Sequence, residues 1–218
     1  MVQDTLMIFM NATGDFKGKM NITGKTWPRD IPRIRDGDPW VENYDYTRNG
    51  SGWLAGDDFI NFFFNFYVPQ FTEYLRREKL PICGILLCDN CAAHPTDLHT
   101  DDGAFRCIFL PPRTTSLIQP CDQHVIYSIK QKYNKRLKRK SRRKAIENKT
   151  TQRIEMRGTT NNERFTLLGD AWNDVSQEEI VSSWENLLGE DFIENWEVNE
   201  KGSVFSHLPN IREIGDNL

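Results

Sequence analysis

The stretch ILLCDNCAAHP, Ile85 to Pro95, runs three apolar residues and a Cys straight into Asp89 and Asn90. A short apolar run bounded by polar residues reads as a buried strand. A carboxylate at the end of such a strand carries a desolvation penalty unless a cation or a set of donors meets it. Asp89 is therefore the first candidate functional residue. Asp122, in IQPCDQH, opens the helical pattern VIYSIKQKY and is the second. Both stand at edges of buried elements, where a side chain is rigid yet reaches a cleft. Carboxylates so placed suit paired magnesium ions, which clamp the attacking and leaving oxygens of a phosphodiester. A helix start beside Asp122 would also favour its anionic form. Spacing alone favours a plainer reading, in which Asp89 closes a turn and Asp122 caps a helix.

Outward from this stretch, TLMIFMNATG and DFKGKMNITGKT read as the two arms of a hairpin that turns at Gly14 and Asp15. Residues 27–53, rich in Pro, Gly, Asp and Arg, read as an irregular loop. Asp57 or Asp58 then caps a helix carrying Phe59, Ile60, Phe63, Phe66 and Tyr67, which Pro69 kinks or restarts and which ends near Lys79. FRCIFLP, Phe105 to Pro111, is a second buried strand. Val125, Ile126, Ile129 and Tyr133 mark one face of a helix that becomes strongly basic. The region from Ala145 to Arg164 reads as a polar, mobile linker. DAWNDVSQEEIVSSWENLL reads as a helix pair anchored by Trp172, Val175, Ile180 and Trp184, with a capping box at Ser176 and Glu179.

The net charge of −3 conceals an asymmetry. Between Lys130 and Lys149 stand eleven Lys or Arg and one acid, Glu147, leaving 17 basic and 30 acidic residues elsewhere. A basic segment on an acidic body points to a polyanionic partner. KRLKRKSRRK, Lys135 to Lys144, has the density of a nuclear-localisation signal or a phosphate-binding surface; the bland alternative is a solvated helix end. The five Cys are odd in number and no basic, apolar leader precedes them, so reduced thiols in the cytosol or nucleus are expected. The sequons at Asn11, Asn21, Asn49 and Asn148 then read as chance matches. No apolar run reaches the ~20 residues of a membrane span. Cys88 and Cys91 with His94 nearby form only a weak zinc signal, because no second pair has ligand spacing.

LLCDNCAAHP followed by FLPPRTTSLIQPCDQHVIYSIKQKY resembles the DDE-1 superfamily of transposase-derived proteins: the pogo and Tigger transposases and their Jerky-like and centromere-protein-B-like relatives. NATGDFKGKMNITGK, SGWLAGDDFINFFFNFYVPQF and DAWNDVSQEEIVSSWENLLG resemble its first hairpin, first crossover helix and carboxyl-terminal helical segment. The resemblance implies an α/β fold: a ribonuclease-H-like mixed sheet flanked by helices, plus a small helical segment. It divides the chain into a partial catalytic domain (1–144), a linker (145–164), a helical segment (165–196) and a tail (197–218).

It also implies magnesium-dependent DNA cleavage and strand transfer, with manganese as an alternative metal. Asp89 and Asp122 match the family's second and third catalytic, metal-binding Asp. Asn90 and His94 match polar neighbours that would orient a water or meet a phosphate; the alternatives are a turn and a loop cap. Gln119 and Gln123 are weaker candidates. Arg113, Thr114 and Thr115 are expected along the cleft rim. Phosphate contacts are expected from Arg113, Lys130, Lys132, Lys135, Arg136, Lys138, Arg139, Lys140, Arg142, Arg143 and Lys144.

Two departures stand out. The family's first Asp lies on a central strand upstream of the hairpin, whereas Met1 here immediately precedes that hairpin; Asp4 is no substitute. The expectation is an incomplete site, a missing central strand and no amino-terminal DNA-recognition module. Where relatives carry Gly after Asp-Gln, this chain has His124, expected to crowd the site or add a ligand. The leading expectation is a DNA-directed nuclear domain that is catalytically incomplete in this chain. The alternative is a non-catalytic nuclear DNA-binding or chromatin-interaction protein. No small-molecule substrate and no membrane association are expected.

Overall fold

The hairpin forms as its pattern predicts. The computed structural model describes residues 4–31, 44–50, 56–89, 95 and 97–189. Strand β1 (Asp4–Met7) runs antiparallel to β2 (Met20–Gly24), with Asp4 opposite Gly24 and Met7 opposite Asn21. Gly14 turns the chain at φ +68°, a conformation that costs glycine little. Asn11 locks the turn from inside, donating to Asp15 at 2.6 Å and accepting from the Phe16 amide at 3.0 Å.

A third strand, β3 (Tyr44–Arg48), lies parallel to β2. It corrects the expected irregular loop at 27–53. YDYTR alternates large rings with polar residues, and both faces are covered: Tyr44 and Tyr46 enter the core while Asp45 is 4 % exposed. Lys19 meets the Asp45 carboxylate at 2.8 Å, and burial pushes that carboxyl up. The rest of the loop, at 32–43 and 51–53, lies outside the described residues.

The Phe-rich segment is one winding of helix. It starts as α1 (Gly56–Phe62), widens into a π-turn over Phe63–Tyr67 and continues as α2 (Val68–Arg77). Pro69 follows the π-turn directly, where the hydrogen-bond register has widened so that the Val68 amide reaches back to the Phe63 carbonyl, and the donor that proline lacks is absorbed there. Its rings build a core of edge-on and stacked aromatic pairs: Phe9 meets Phe62 at 5.4 Å and Tyr67 at 5.7 Å, and Tyr67 meets Phe105 at 6.2 Å. Each such pair contributes ~0.5–1.5 kcal/mol beyond its buried area.

That core also covers the second sheet, in which β4 (Gly84–Cys88) and β5 (Phe105–Phe109) run parallel. Both are the strands the apolar runs predict. The two sheets are separate, one ordered β1-β2-β3 and the other β4-β5. This is a mixed α/β structure rather than one continuous sheet.

After the short helix α3 (Thr115–Ile118) and a 3-10 turn at Pro120–Asp122, the long helix α4 (Val125–Glu147) crosses the molecule. It packs Val125 and Ile129 into a core formed with Met20, Ile22, Tyr44 and Tyr46 of the first sheet. The same core takes Phe165 and Trp172 from α6 (Asn161–Asn173), Val175 from the following turn and Ile180 from α7 (Gln177–Ser183). The carboxyl-terminal helices therefore share one core with the hairpin. Lys17 clamps them: its Nζ donates to the carbonyls of Asn173 at 2.8 Å and Val175 at 2.7 Å, satisfying orphan acceptors past the end of α6. A four-residue helix, α8 (Glu185–Leu188), ends the described chain.

Residues 145–164 are not the mobile linker expected. They complete α4, form α5 (Gln152–Arg157) and begin α6. Two caps explain this. The Thr151 hydroxyl accepts from the Ile154 amide, and Thr160 with Glu163 forms a full capping box, as Ser176 does with Glu179.

Candidate functional site

The end of β4 and the 3-10 turn before α4 converge. Asp89 follows Cys88 directly, and the Leu110 amide donates to the Cys88 carbonyl at 2.8 Å, holding the strand end in place. Asp122 is reached from Pro120, which starts the 3-10 turn. Burial raises the Asp122 carboxyl above its ordinary value, the negative charge of Asp89 raises it further, and Lys130 pulls it down. The Cys121 thiol next to it is pushed up to about 12 by burial and by the charges of both Asp122 and Asp89. The charge of Asp89 thus reaches both Asp122 and the sulfur beside it. The helix start does not stabilise the Asp122 anion as expected: Asp122 lies before α4, in a turn only three residues long, where burial and a like charge outweigh any dipole.

The neighbours sort themselves. Gln119 accepts the Asp122 amide on its backbone carbonyl at 3.0 Å, while its side-chain Oε1 is buried without a hydrogen-bond partner among the described residues. A buried, unpartnered amide oxygen three residues before Asp122 is a further candidate hard oxygen donor. Gln123 is engaged elsewhere, donating to the Ser116 carbonyl at 3.1 Å and accepting from Asn186 at 2.9 Å, and so ties α4's start to α8. Arg113 is exposed in the turn before α3 at φ +69°, and the Thr114 hydroxyl donates to the Pro111 carbonyl at 2.6 Å. Asn90 and His94 lie outside the described residues.

His124 corrects its expectation. It is exposed and stands at the N-cap of α4 at φ +69°, not one turn inside, and its carbonyl accepts the first helical hydrogen bond from Ser128 at 2.8 Å. The requirement at this position is a left-handed backbone, which glycine meets without strain.

The basic residues of α4 divide into two faces. Lys132, Arg136, Lys140 and Lys144, spaced every fourth residue, point inward to acids on α6, the turn after it and α7. Lys132 meets Glu179 at 2.7 Å, Arg136 meets Asp174 at 2.9 Å, and Lys140 and Lys144 share Glu163 at 3.0 and 2.8 Å. Hydrogen bonding from Lys144, with Lys140 assisting, lowers Glu163 to about 2; Lys132 and Ser128 do the same for Glu179 against its burial. On the outer face, Lys135, Lys138 and Arg142 are exposed, as is Arg139 at the border with the inner face, and no ion-pair partner lies beside these four among the described residues. Sequence reading missed this ladder of ion pairs, although the four-residue spacing of its cations was visible.

A model of the DDE superfamily endonuclease family matches residues 3–184. The chain is 30% identical over 190 residues to human Tigger transposable element-derived protein 7, an overlap covering 82% of this chain and 34% of that protein. It is 30% identical over 124 residues to human Jerky protein homolog and 31% over 123 residues to mouse Jerky protein, each overlap covering 56% of this chain and 21% of the relative. The chain thus spans about a third of the Tigger relative's length and about a fifth of the Jerky proteins'. No solved structure matches it. With the match running through almost all of the described residues, the chain belongs to the DDE superfamily endonuclease family, alongside transposable element-derived proteins.

Proposed function

We propose that this is a transposase-derived DNA-binding domain that retains two of the carboxylates of a metal-dependent phosphodiester site and is catalytically incomplete over these residues. The observation that carries the reading is the position of Asp89 directly after β4, near enough for its charge to raise both the Asp122 carboxyl and the Cys121 thiol. The donors are right in kind for magnesium or manganese: two carboxylates and the orphaned Gln119 Oε1 are all hard oxygens. They fall short in number, because no group of three His, Cys, Asp or Glu suited to a metal occurs among the described residues. A bound ion would supply Lewis-acid stabilisation of phosphate oxygens. Asp89 and Asp122 would hold it at the strand end, Gln119 would add a third oxygen, and Lys130 would face the incoming phosphate.

A third carboxylate has a place in this reading. β1 and β4 each form one side of their sheets, and their exposure is unusual for apolar strands: Leu6 is 44 % exposed, and Gly84–Leu87 are only half-buried. We place between them the first strand of a ribonuclease-H-like sheet, bearing the first Asp. A nuclear location and DNA as the partner follow from the same reading, through the outer face of α4. A second reading, a nuclear DNA-binding protein without chemistry, draws on the uncompensated cations of α4 alone.

Titration calorimetry tests the site. Mg²⁺ should bind with millimolar affinity, and Asp89→Asn or Asp122→Asn should abolish the heat while leaving DNA affinity within twofold. Micromolar binding, or binding that survives both substitutions, would reject the assignment.

A further inference from the structure

We propose that the groove between α4 and α6 is an oxyanion pocket that holds a single phosphoryl group. Along α6 and the turn after it, the carboxylates that pair with α4 stand at Glu163, Asp170 and Asp174. The helical row joining them passes through position 167, three residues before Asp170 and four after Glu163, and there the residue is Leu167. The row of acids therefore has a gap. Opposite the gap, Arg136, Arg139, Lys140 and Arg143 line a concavity of about 260 Å³ with Leu167 as its remaining wall.

Two of these four cations are held in place by the ladder: Arg136 by Asp174 and Asp170, and Lys140 by Glu163. The other two keep charge to spare. Arg139 has no carboxylate partner among the described residues, and Arg143 meets only Glu147, at 3.6 Å and in solvent. Two guanidinium groups at a concave wall match the oxygens of a phosphate, which arginine binds in parallel pairs. The space is below the ~300 Å³ where drug-sized pockets begin, so it suits a compact anion. The occupant is a phosphoryl oxyanion, supplied by a nucleic-acid backbone or by free phosphate. In the first case the pocket deepens the DNA-binding reading above, fixing the register of one backbone phosphate; in the second it stands apart from it.

Filling the gap tests the proposal. Leu167→Glu places the missing fourth acid against Arg139 and Arg143, and Leu167→Gln is its uncharged control; circular dichroism and Arg139→Gln guard against a folding artefact. In the 218-residue chain, inorganic phosphate should raise the thermal midpoint saturably relative to chloride at equal ionic strength. Leu167→Glu and Arg139→Gln should lose that shift and Leu167→Gln should keep it. No phosphate-specific shift in the wild type, or a full shift in Leu167→Glu, overturns the pocket.

Binding of a fluorescent duplex separates the sources. If a backbone phosphate occupies the pocket, Leu167→Glu weakens DNA binding about tenfold at ~50 mM salt and reduces the salt slope by about 0.9. A lost phosphate shift with unaltered DNA affinity assigns the pocket to free phosphate. DNA binding without any phosphate effect removes the pocket and leaves the DNA reading standing; a phosphate shift without DNA binding does the reverse.

Discussion

Helix α4 carries the same residue types on two faces and uses them for opposite ends. Its inner cations, at every fourth position from Lys132 to Lys144, meet carboxylates and hold α6 and α7 against the core. Its outer cations at Lys135, Lys138 and Arg142, and Arg139 at the border of the two faces, have no such partners among the described residues. Charge density along a sequence therefore overstates the charge offered to a ligand. What counts is the part that the fold leaves uncompensated, and here that part lies on one side of one helix.

The largest expected effect separates the faces by ligand. Replacing Lys135, Lys138 and Arg142 by Gln should weaken binding to a DNA duplex about a thousandfold at ~50 mM salt, since each lost phosphate contact costs about tenfold there, and should lower the salt slope by up to about 2.7. The thermal midpoint should stay within ~2 °C, because nothing in the fold leans on these side chains. Anisotropy titrations across a salt series measure both. An unchanged slope would mean that the outer face meets no phosphate, and the comparison of faces would lose its functional half.

The inner face should respond in stability instead. Glu179→Ala removes one acid of the ladder and half of a capping box, because the Glu179 carboxylate also accepts from the Ser176 amide at 2.7 Å. A lost cap costs ~1 kcal/mol and a half-exposed ion pair somewhat less, so ~2 kcal/mol is expected, a fall of about 4–8 °C in a domain of this size. DNA affinity should change less than twofold. A loss of DNA affinity at constant stability would place Lys132 among the ligand-binding cations and blur the two faces.

What could be read beforehand follows the range of the interactions involved. β4, β5, the aromatic helix and the Ser176 capping box were legible because each depends on residues a few positions apart. β3 was not: YDYTR has a polar alternation, and it becomes a strand because Lys19 meets Asp45 from 26 residues away and the Tyr44 and Tyr46 rings meet Phe165. The linker error was avoidable, since Thr160-Asn-Asn-Glu163 is a capping box in plain view. Asp89 and Asp122 were legible as strand-end and helix-start carboxylates, and family resemblance gave them a role. The reach of the Asp89 charge to Asp122 needed the fold, and so did the division of α4's charges, because the compensating acids lie 19 to 47 residues away.

Acid should loosen the inner face, alongside the hairpin turn where, against its burial, hydrogen bonds from Thr13, Asn11 and Tyr74 hold the Asp15 carboxyl below its ordinary value. Glu163 and Glu179 fall from an ordinary 4.5 to about 2 in the folded chain. A depressed carboxylate contributes stability that is fully present above pH 4.5 and lost as pH falls towards 2. Solvent screening at these partly exposed sites reduces each contribution to ~1 kcal/mol. Asp122 acts in the opposite direction, since its raised pKa means that protonation relieves a cost. Chemical denaturation should show stability falling by ~2 kcal/mol across that window in the wild type and by about half as much in Glu163→Gln. An equal loss in both would detach the ladder from the acid response.

The smallest expected effect lies where α4 begins and the orientation of both faces is set. His124 holds φ at +69° with its ring in solvent, so it bears the steric cost of the left-handed region and gains no packing in return. For a side-chain-bearing residue that cost is ~1–2 kcal/mol, partly offset in His124→Gly by the greater freedom glycine has when unfolded. The net gain should be ~0.5–1 kcal/mol, a rise of about 1–4 °C in the thermal midpoint. The helix keeps its direction in this variant, because Ser128 still donates to the carbonyl of residue 124. DNA affinity and its salt slope should therefore be unchanged. A stabilised chain with altered DNA affinity would show that the imidazole itself reaches the ligand; a destabilised one would show that the ring makes a contact that holds the Asp89 and Asp122 rim in place.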